Sequence, residues 1–272
     1  MKRTLYLLIL FSLFSIKSYS TEKKIMAVPI IGPAVTDNDT VAISNSFEEQ
    51  TYLQAMRYLN GINTDVDYSK ALVRFAYLAK LGDPRSINSL AGMISQGLGI
   101  PQNEAKAREL YEQASLLGYG KASYNLAMMY KTGKGGDQDF LKAAEYAQTA
   151  LQQGYNQALY MLGYLNYKGF GVNQNYNLAV EYFTKGAELK QASSTYFLGL
   201  CYLGGYGVEK NITMGKKLVE KAAILGNDHA VDFILERRDE KYEQPLKNDK
   251  EGNPYPHYRR ISKNDSFRLE NF

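Results

Sequence analysis

The stretch YFLGLCYLGGYGV at residues 196–208 is the clearest copy of a pattern that returns through most of this chain of 272 residues. Its Gly205 is the last of five glycines that stand 36 residues apart, with no insertion or deletion between them: Gly61, Gly97, Gly133, Gly169 and Gly205. Self-similarity at a fixed period of about 20–50 residues is the signature of a stacked-repeat architecture. The chain is therefore expected to fold as a series of units, each of which packs mainly on its neighbours.

Two further positions of the repeat keep their chemical type in all five copies. Six residues before each glycine the side chain is small, and we call this residue the anchor of its repeat: Ala55, Ala91, Ala127, Gly163 and Gly199. Six residues after each glycine stands a residue that favours helix N-termini: Asp67, Asn103, Asp139, Asn175 and Asn211. Agreement at so many positions indicates a true structural repeat.

Each unit is predicted to consist of two helices. In the third unit Ala122, Leu126 and Tyr130 have helical spacing, and the run stops at Gly133, because glycine adopts the left-handed conformation without steric penalty. The Asp or Asn residue then begins a second helix with the same rhythm. That helix ends at a second glycine in four units, with Lys190 as the exception. A small anchor lets the two helices approach closely and form a tight hairpin.

The repeated motif resembles a known family. The pattern Ala-x-Tyr-x-Leu-Gly-x-x-Tyr-x-x-Gly-x-Gly-Val, followed by Asp or Asn and later by Ala-Ala and a glycine, is similar to the Sel1-like repeat, a relative of the tetratricopeptide repeat. This resemblance covers about residues 49–235, although Asn63 and Lys190 depart from the family's glycines. It implies an all-α fold, a right-handed α-α solenoid of five 36-residue helical hairpins. Residues 230–236 resemble the first helix of a sixth unit, shortened to act as a C-terminal capping helix.

Four segments are expected along the chain. Residues 1–20 have a basic start, an apolar run from Leu5 to Ile16 and a small-x-small end at Ser20, which predicts a secretory signal peptide cut after Ser20. The alternative, a membrane anchor, needs about 20 apolar residues. Residues 21–48 are interpreted as an extended N-terminal arm, residues 49–236 as the repeat solenoid, and residues 237–272 as an irregular tail. We expect a periplasmic or secreted protein, without stable membrane insertion after cleavage.

Charge and cysteine content narrow the classes of partner. Loss of the signal peptide removes Lys2, Arg3 and Lys17 and no acid, so the formal net charge falls from +4 to +1. No electrostatic argument for nucleic acid binding remains. Cys201 is the sole cysteine, which excludes an intrachain disulfide, and we interpret it as a buried apolar residue. Some exported relatives carry a disulfide in every repeat, so the chain resembles the cysteine-poor members.

The sequence offers no arrangement typical of catalysis or metal binding. The two histidines, His229 and His257, have no ligand partner at useful spacing. Neither a serine nucleophile elbow, a Walker loop nor a dinucleotide fingerprint occurs. We therefore expect no enzyme, no cofactor and no metal. A hydrolase acting on cell-wall or β-lactam-like substrates, an activity claimed for some disulfide-rich relatives, is kept as the less favoured alternative.

A protein-binding strip is predicted on the first helices. By analogy with tetratricopeptide repeats, the positions three before, one after and four after the anchor would line the concave side of a solenoid. Tyrosine supplies a large contact area with a polar tip, and methionine adapts to irregular surfaces. The candidate partner-binding residues are Tyr124, Met128, Tyr160, Tyr164, Tyr167 and Tyr196. The alternative is that tyrosines three before the anchor only pack successive repeats together.

The favoured function is an exported, non-enzymatic scaffold or adaptor that binds a protein of an envelope complex. An immunity or inhibitor protein that neutralises a secreted toxin or a cell-envelope hydrolase is the second hypothesis. The scaffold function uses the concave face of the repeat solenoid, and the sequence alone does not decide between the two hypotheses.

Overall fold

The structure is a computed structural model that describes residues 37–236, with side chains described for residues 47–235. The predicted signal peptide, residues 21–36 of the predicted arm and the predicted tail at 237–272 lie outside the described residues. Within the described part every regular element is an α-helix, as the repeat predicts. None of these helices combines the length and the apolar content that crossing a membrane requires.

The chain divides into two compact units at residues 137 and 138. The helices of the first unit are α1 (Asp37–Asn60), α2 (Tyr68–Lys80), α3 (Pro84–Gln96), α4 (Glu104–Leu116) and α5 (Gly120–Thr132). Those of the second unit are α6 (Phe140–Gln152), α7 (Ala158–Lys168), α8 (Tyr176–Glu188), α9 (Ala192–Gly204), α10 (Ile212–Ile224) and α11 (Asp228–Glu236). The odd-numbered helices are the first helices of successive repeats, and α11 is the shortened sixth, as predicted.

The turn inside each hairpin has the predicted chemistry. The repeated glycine lies at a positive φ in all five copies, between 68° at Gly61 and 77° at Gly205. The Asp or Asn side chain that follows accepts a hydrogen bond from the backbone N–H three residues later; in the fourth repeat Asn175 Oδ1 accepts from Leu178 N at 3.0 Å. Backbone strain and an unsatisfied helix N-terminus are thus both avoided at the same turn.

One boundary prediction was wrong. Helix α1 begins at Asp37, so the part of the predicted extended arm that the structure describes, residues 37–48, is helical. Asp37-Asn38-Asp39 lies inside the segment predicted to be an extended arm, but Asp and Asn are the residue types preferred at helix starts. The first helix is therefore 24 residues long, whereas α3, α5 and α9 have 13.

The first repeat is adapted to its terminal place in the stack. Gln50, Gln54 and Arg57 are exposed on α1. The residues 36 positions later, Ser86, Leu90 and Met93, are at most 1% exposed. Polar side chains thus replace buried ones on the face of α1 that no preceding repeat covers, as expected for a terminal repeat.

The second unit is built around an aromatic core. Tyr167 contacts the rings of Tyr176, Phe183, Phe197 and Tyr206 at centroid distances of 5.3–6.4 Å. The anchor Gly163 permits this packing, because a Cβ atom placed there would lie 2.5 Å from the ring of Phe183. At the other end Ala230 and Phe233 of α11 are buried in the same core, which is the predicted capping contact.

Replacement of Gly163 by alanine is predicted to destabilise the protein. The added methyl group must displace the buried Phe183 ring, which costs about 1–3 kcal/mol of the free energy of unfolding. Urea denaturation followed by far-UV circular dichroism measures the change.

Gly92→Ala is the matched control. Gly92 also lies inside a first helix, but a Cβ atom there meets only the Tyr111 hydroxyl, at 3.4 Å. The higher helix propensity of alanine should then stabilise this variant by about 0.5–1 kcal/mol. Equal effects of the two substitutions would contradict the proposed role of the anchor.

Candidate functional site

The position three residues before the anchor joins successive first helices. Within the second unit the Tyr160 ring lies 5.6 Å from the Phe197 ring, and Tyr196 lies 6.3 Å from Phe233. In the first unit the same pair of positions is polar: Asn125 Nδ2 donates a hydrogen bond to Asn88 Oδ1 at 2.9 Å. The residue three before one anchor thus contacts the residue two before the next. The residue three before the anchor therefore packs successive repeats together, which is the alternative that the sequence analysis left open.

Tyr160 and Tyr164 nevertheless keep part of their surface accessible. Both are half-buried on α7, one helical turn apart, with ring centroids 6.1 Å apart. Tyr164 packs edge-on against Phe197 at 5.7 Å and against Phe170 at 6.3 Å. We call these four side chains, Tyr160, Tyr164, Phe170 and Phe197, the aromatic patch. Phe197 and Phe170 hold its two tyrosines in place, and part of each tyrosine side chain stays accessible to a partner.

Two of the predicted partner-binding residues are corrected by the structure. Tyr167 is 1% exposed and Tyr196 is 0% exposed, so neither side chain can touch a partner on this folded surface. Tyr167 is covered by Tyr176, the first residue of α8, and by Tyr206, from the turn that follows α9. Tyr196 is covered by Phe233 of the capping helix. Both tyrosines are core residues.

The first unit presents a different surface at the same positions. Tyr124 and Met128 lie one turn apart on α5, and both are half-buried. On α3 the corresponding residues are Asn88 and Gly92. One turn after Met128 stands Lys131, whose pKa is lowered because burial disfavours the charged ammonium group. This part of the predicted strip is therefore less aromatic and carries a partly desolvated cation.

Two aromatic residues that complete the patch were not among the sequence candidates. Phe197 stands two positions before its anchor, and Phe170 stands one after the turn glycine. The signal that could have found Phe197 is that Phe233 stands 36 residues later and Met161 36 residues earlier, so the position is apolar in the last repeats. The strip predicted by analogy with tetratricopeptide repeats uses other positions of the repeat.

The part of the chain with described side chains forms no metal site. Within it no three His, Cys, Asp or Glu side chains come together as a metal site would require. His229 lies beside the ring of Tyr196, with centroids 6.4 Å apart. Cys201 is 0% exposed, and burial raises the pKa of its thiol to about 12. The thiol is therefore held as a buried neutral group, as the sequence suggested.

Comparison with known proteins supports the repeat assignment. The family model described as Sel1 repeat matches residues 52–82, 84–119, 120–155, 156–190 and 192–227, which together make up well over half of the chain. The last four segments begin near the starts of the first helices, the first begins within α1, and all five end in the turns after the second helices. A search of the curated proteins found no match.

Several solved structures are similar to this chain. A protective antigen present in uropathogenic Escherichia coli strains, displaying an SLR fold, is 25% identical with a TM-score of 0.63; the match covers 75% of this chain and 44% of that one. The chain thus spans less than half the length of this relative. A Sel1 repeat protein from Oxalobacter formigenes is 22% identical with a TM-score of 0.68, covering 76% of this chain and 80% of that one.

An immunity protein from Pseudomonas aeruginosa is also similar in fold. It is 22% identical with a TM-score of 0.50, and the match covers 73% of this chain and 72% of that one. At this level of identity the likeness concerns the fold alone.

The buried thiol gives a prediction about pH and labelling. The folded-state pKa of Cys201 lies near 12 and its ordinary value near 9.0, so the unfolded chain loses this proton first as the pH rises. The stabilising contribution of the neutral buried thiol is complete below about pH 9 and is lost as the pH rises toward 12. Urea titrations should give a lower free energy of unfolding at pH 10 than at pH 8. The Cys201→Ala variant should lack the part of this decrease that comes from the thiol.

Thiol labelling is the accompanying measurement. At pH 8 the folded protein should react with Ellman's reagent at least about a hundredfold more slowly than the urea-unfolded protein. Rapid labelling of the folded protein would contradict the burial of Cys201.

Proposed function

Because the chain belongs to the Sel1 repeat family, whose fold is typical of protein-interaction scaffolds, we propose that it is a non-enzymatic scaffold that binds a partner protein through its first helices. The partner is a component of a cell-envelope complex, and the protein acts in the periplasm or after secretion. No cofactor takes part in this proposal.

The observation that carries the proposal is the state of Tyr160 and Tyr164. Both rings are half-buried and held against Phe197, at centroid distances of 5.6 Å and 5.7 Å. A side chain already fixed in the free protein loses little conformational freedom when a partner docks on it. Tyrosine in such a place offers apolar contact area together with a hydroxyl group, the combination enriched at binding hot spots.

The first unit contributes a second contact region of different chemistry. Tyr124 and Met128 occupy the same repeat positions as Tyr160 and Tyr164. The corresponding residues on α3 are the polar Asn88 and the small Gly92, and Lys131 supplies a cation. A partner segment bound by these first-unit residues would therefore carry polar or acidic groups, whereas one bound by the aromatic patch would be apolar or aromatic.

The immunity hypothesis remains the second candidate. It is favoured by the similarity of fold to the Pseudomonas aeruginosa immunity protein, and it uses the same tyrosines against a toxin or an envelope hydrolase. Co-expression with a toxin-like protein encoded beside this gene separates the two: rescue of growth supports immunity. Hydrolysis of cell-wall fragments by the purified protein, abolished by a single substitution, would instead indicate an enzyme.

Loss of the Tyr164 ring is predicted to weaken partner binding. The Tyr164→Ala variant should retain its partner from an envelope extract at least about tenfold less than the wild type does. The reason is that a central aromatic contact typically contributes about 2 kcal/mol or more to the free energy of binding. Affinity capture followed by quantitative mass spectrometry measures the retained proteins.

Tyr182→Ala is the matched control for this experiment. Tyr182 is also half-buried, but it lies on the second helix α8, where its hydroxyl donates to Gln148 Oε1 at 3.2 Å. Its loss removes a similar ring without touching the aromatic patch. Retention of every partner by Tyr164→Ala, with unchanged helicity and melting temperature, would refute the proposed contact face.

The first residue of the mature protein tests the prediction of export. The basic start, the apolar run and Ser20 predict cleavage that leaves Thr21 as the first residue. N-terminal sequencing of protein recovered from the periplasmic or secreted fraction should give TEKKIM, residues 21–26. An uncleaved chain found only in the cytosolic fraction would refute this localisation.

A further inference from the structure

The first repeat exposes an apolar surface where α1 meets α2. We call it the first-repeat patch: Phe47, Val73, Tyr77 and Leu81, whose exposed fractions are 57%, 50%, 47% and 53%. Val73, Tyr77 and Leu81 follow one another at intervals of four residues and therefore lie on one side of α2 and its end. Phe47 reaches this side from α1, with its ring edge-on to Tyr77 at a centroid distance of 6.5 Å.

The repeat itself shows that two of these residues are exceptional. At the position of Val73 the other four repeats have charged, exposed residues: Glu109, Glu145, Glu181 and Lys217. At the position of Tyr77 they have polar or charged residues: Gln113, Thr149, Lys185 and Lys221. The helical hairpin thus has no need of apolar side chains here. Their presence in one repeat indicates that something covers this surface, since contiguous exposed apolar patches mark contact sites.

The chain immediately before α1 contains an apolar run of its own. Residues 25–31 read IMAVPII, and Gly32-Pro33, a dipeptide typical of turns, separates them from the start of α1 at Asp37. This run contains no charged side chain and lies outside the repeats. It remains part of the chain when the predicted signal peptide is removed.

The two features are within reach of each other. The ten residues from Asp37 to Phe47 advance about 15 Å along α1, at 1.5 Å per residue. Seven residues span up to about 24 Å when fully extended. A chain reversal at Gly32-Pro33 therefore allows residues 25–31 to return along α1 as far as Phe47.

We propose that residues 25–31 dock on the first-repeat patch and cover it. The apolar side chains of the segment bury Val73, Tyr77 and Phe47, and the contact is intramolecular, so it needs no second molecule. The first repeat is then covered on this side. The inference does not depend on the proposed function.

The test places a thiol in the patch. Val73→Cys is close in volume, and the native Cys201 is buried, so Ellman's reagent reports the new thiol. In the full chain it should react at least about tenfold more slowly than Glu145→Cys, which occupies the same exposed repeat position in the third repeat. Adding Ile30→Asp and Ile31→Asp should restore fast labelling at position 73 and leave position 145 unchanged.

Each other result overturns the proposal. Equally fast labelling at positions 73 and 145 in the otherwise native chain means that the patch is open. Slow labelling at position 73 that persists after Ile30→Asp and Ile31→Asp means that a different group covers it. Sedimentation at several protein concentrations then identifies the covering group. It is a second copy of the chain if protection of position 73 from labelling and dimerisation rise together, and another segment of the same chain if the protein stays monomeric.

Discussion

The close approach of helices at the small anchor is the constraint on which the rest of the structure depends. Ala55, Ala91 and Ala127 are completely buried, and a Cβ atom on Gly163 would meet the Phe183 ring at 2.5 Å. With the backbones this close, the side chains that fill the remaining space must come from fixed positions on either side. The anchor therefore determines which residues of a first helix can vary without loss of packing. Those residues are where recognition of a partner can differ from one member of the family to another.

The fold was predictable because its signals are local and repeated. Asn175 caps α8 with its own side chain, and Gly169 takes the conformation that glycine alone adopts cheaply, so each turn is specified within a few residues. Five copies make such signals unambiguous. The start of α1 was missed because Asp37-Asn38-Asp39 stands before the first repeat, where no copy in register exists to distinguish a helix cap from a loop.

Burial of the candidate tyrosines was less predictable, because periodicity identifies a position in the repeat and not the neighbours that cover it. Tyr160 and Tyr196 stand 36 residues apart, yet the first is half-buried and the second is 0% exposed. Each of them contacts the aromatic ring two positions before the next anchor, Phe197 or Phe233, but Tyr196 also lies against His229 of α11, at a centroid distance of 6.4 Å. Tyr167 is buried by Tyr176 of its own repeat and by Tyr206 of the next; in the first repeat the residue that corresponds to Tyr206 is Ile62, which is 52% exposed. The contacts of Tyr196 with α11 and of Tyr167 with Tyr206 link separate repeats, and no single repeat contains them.

The two ends of a repeat stack face the same physical problem and here solve it differently. The last full repeat is covered by α11, whereas on α1 polar side chains, Gln54 and Arg57 among them, replace residues that are buried elsewhere. Polar replacement explains why α1 tolerates water on its outer face. It cannot explain Val73 and Tyr77, because there the change runs from polar to apolar, at positions that are solvent-facing in the other repeats. An apolar residue exposed to water gains nothing for the hairpin, so its favourable contribution must come from a contact outside the hairpin.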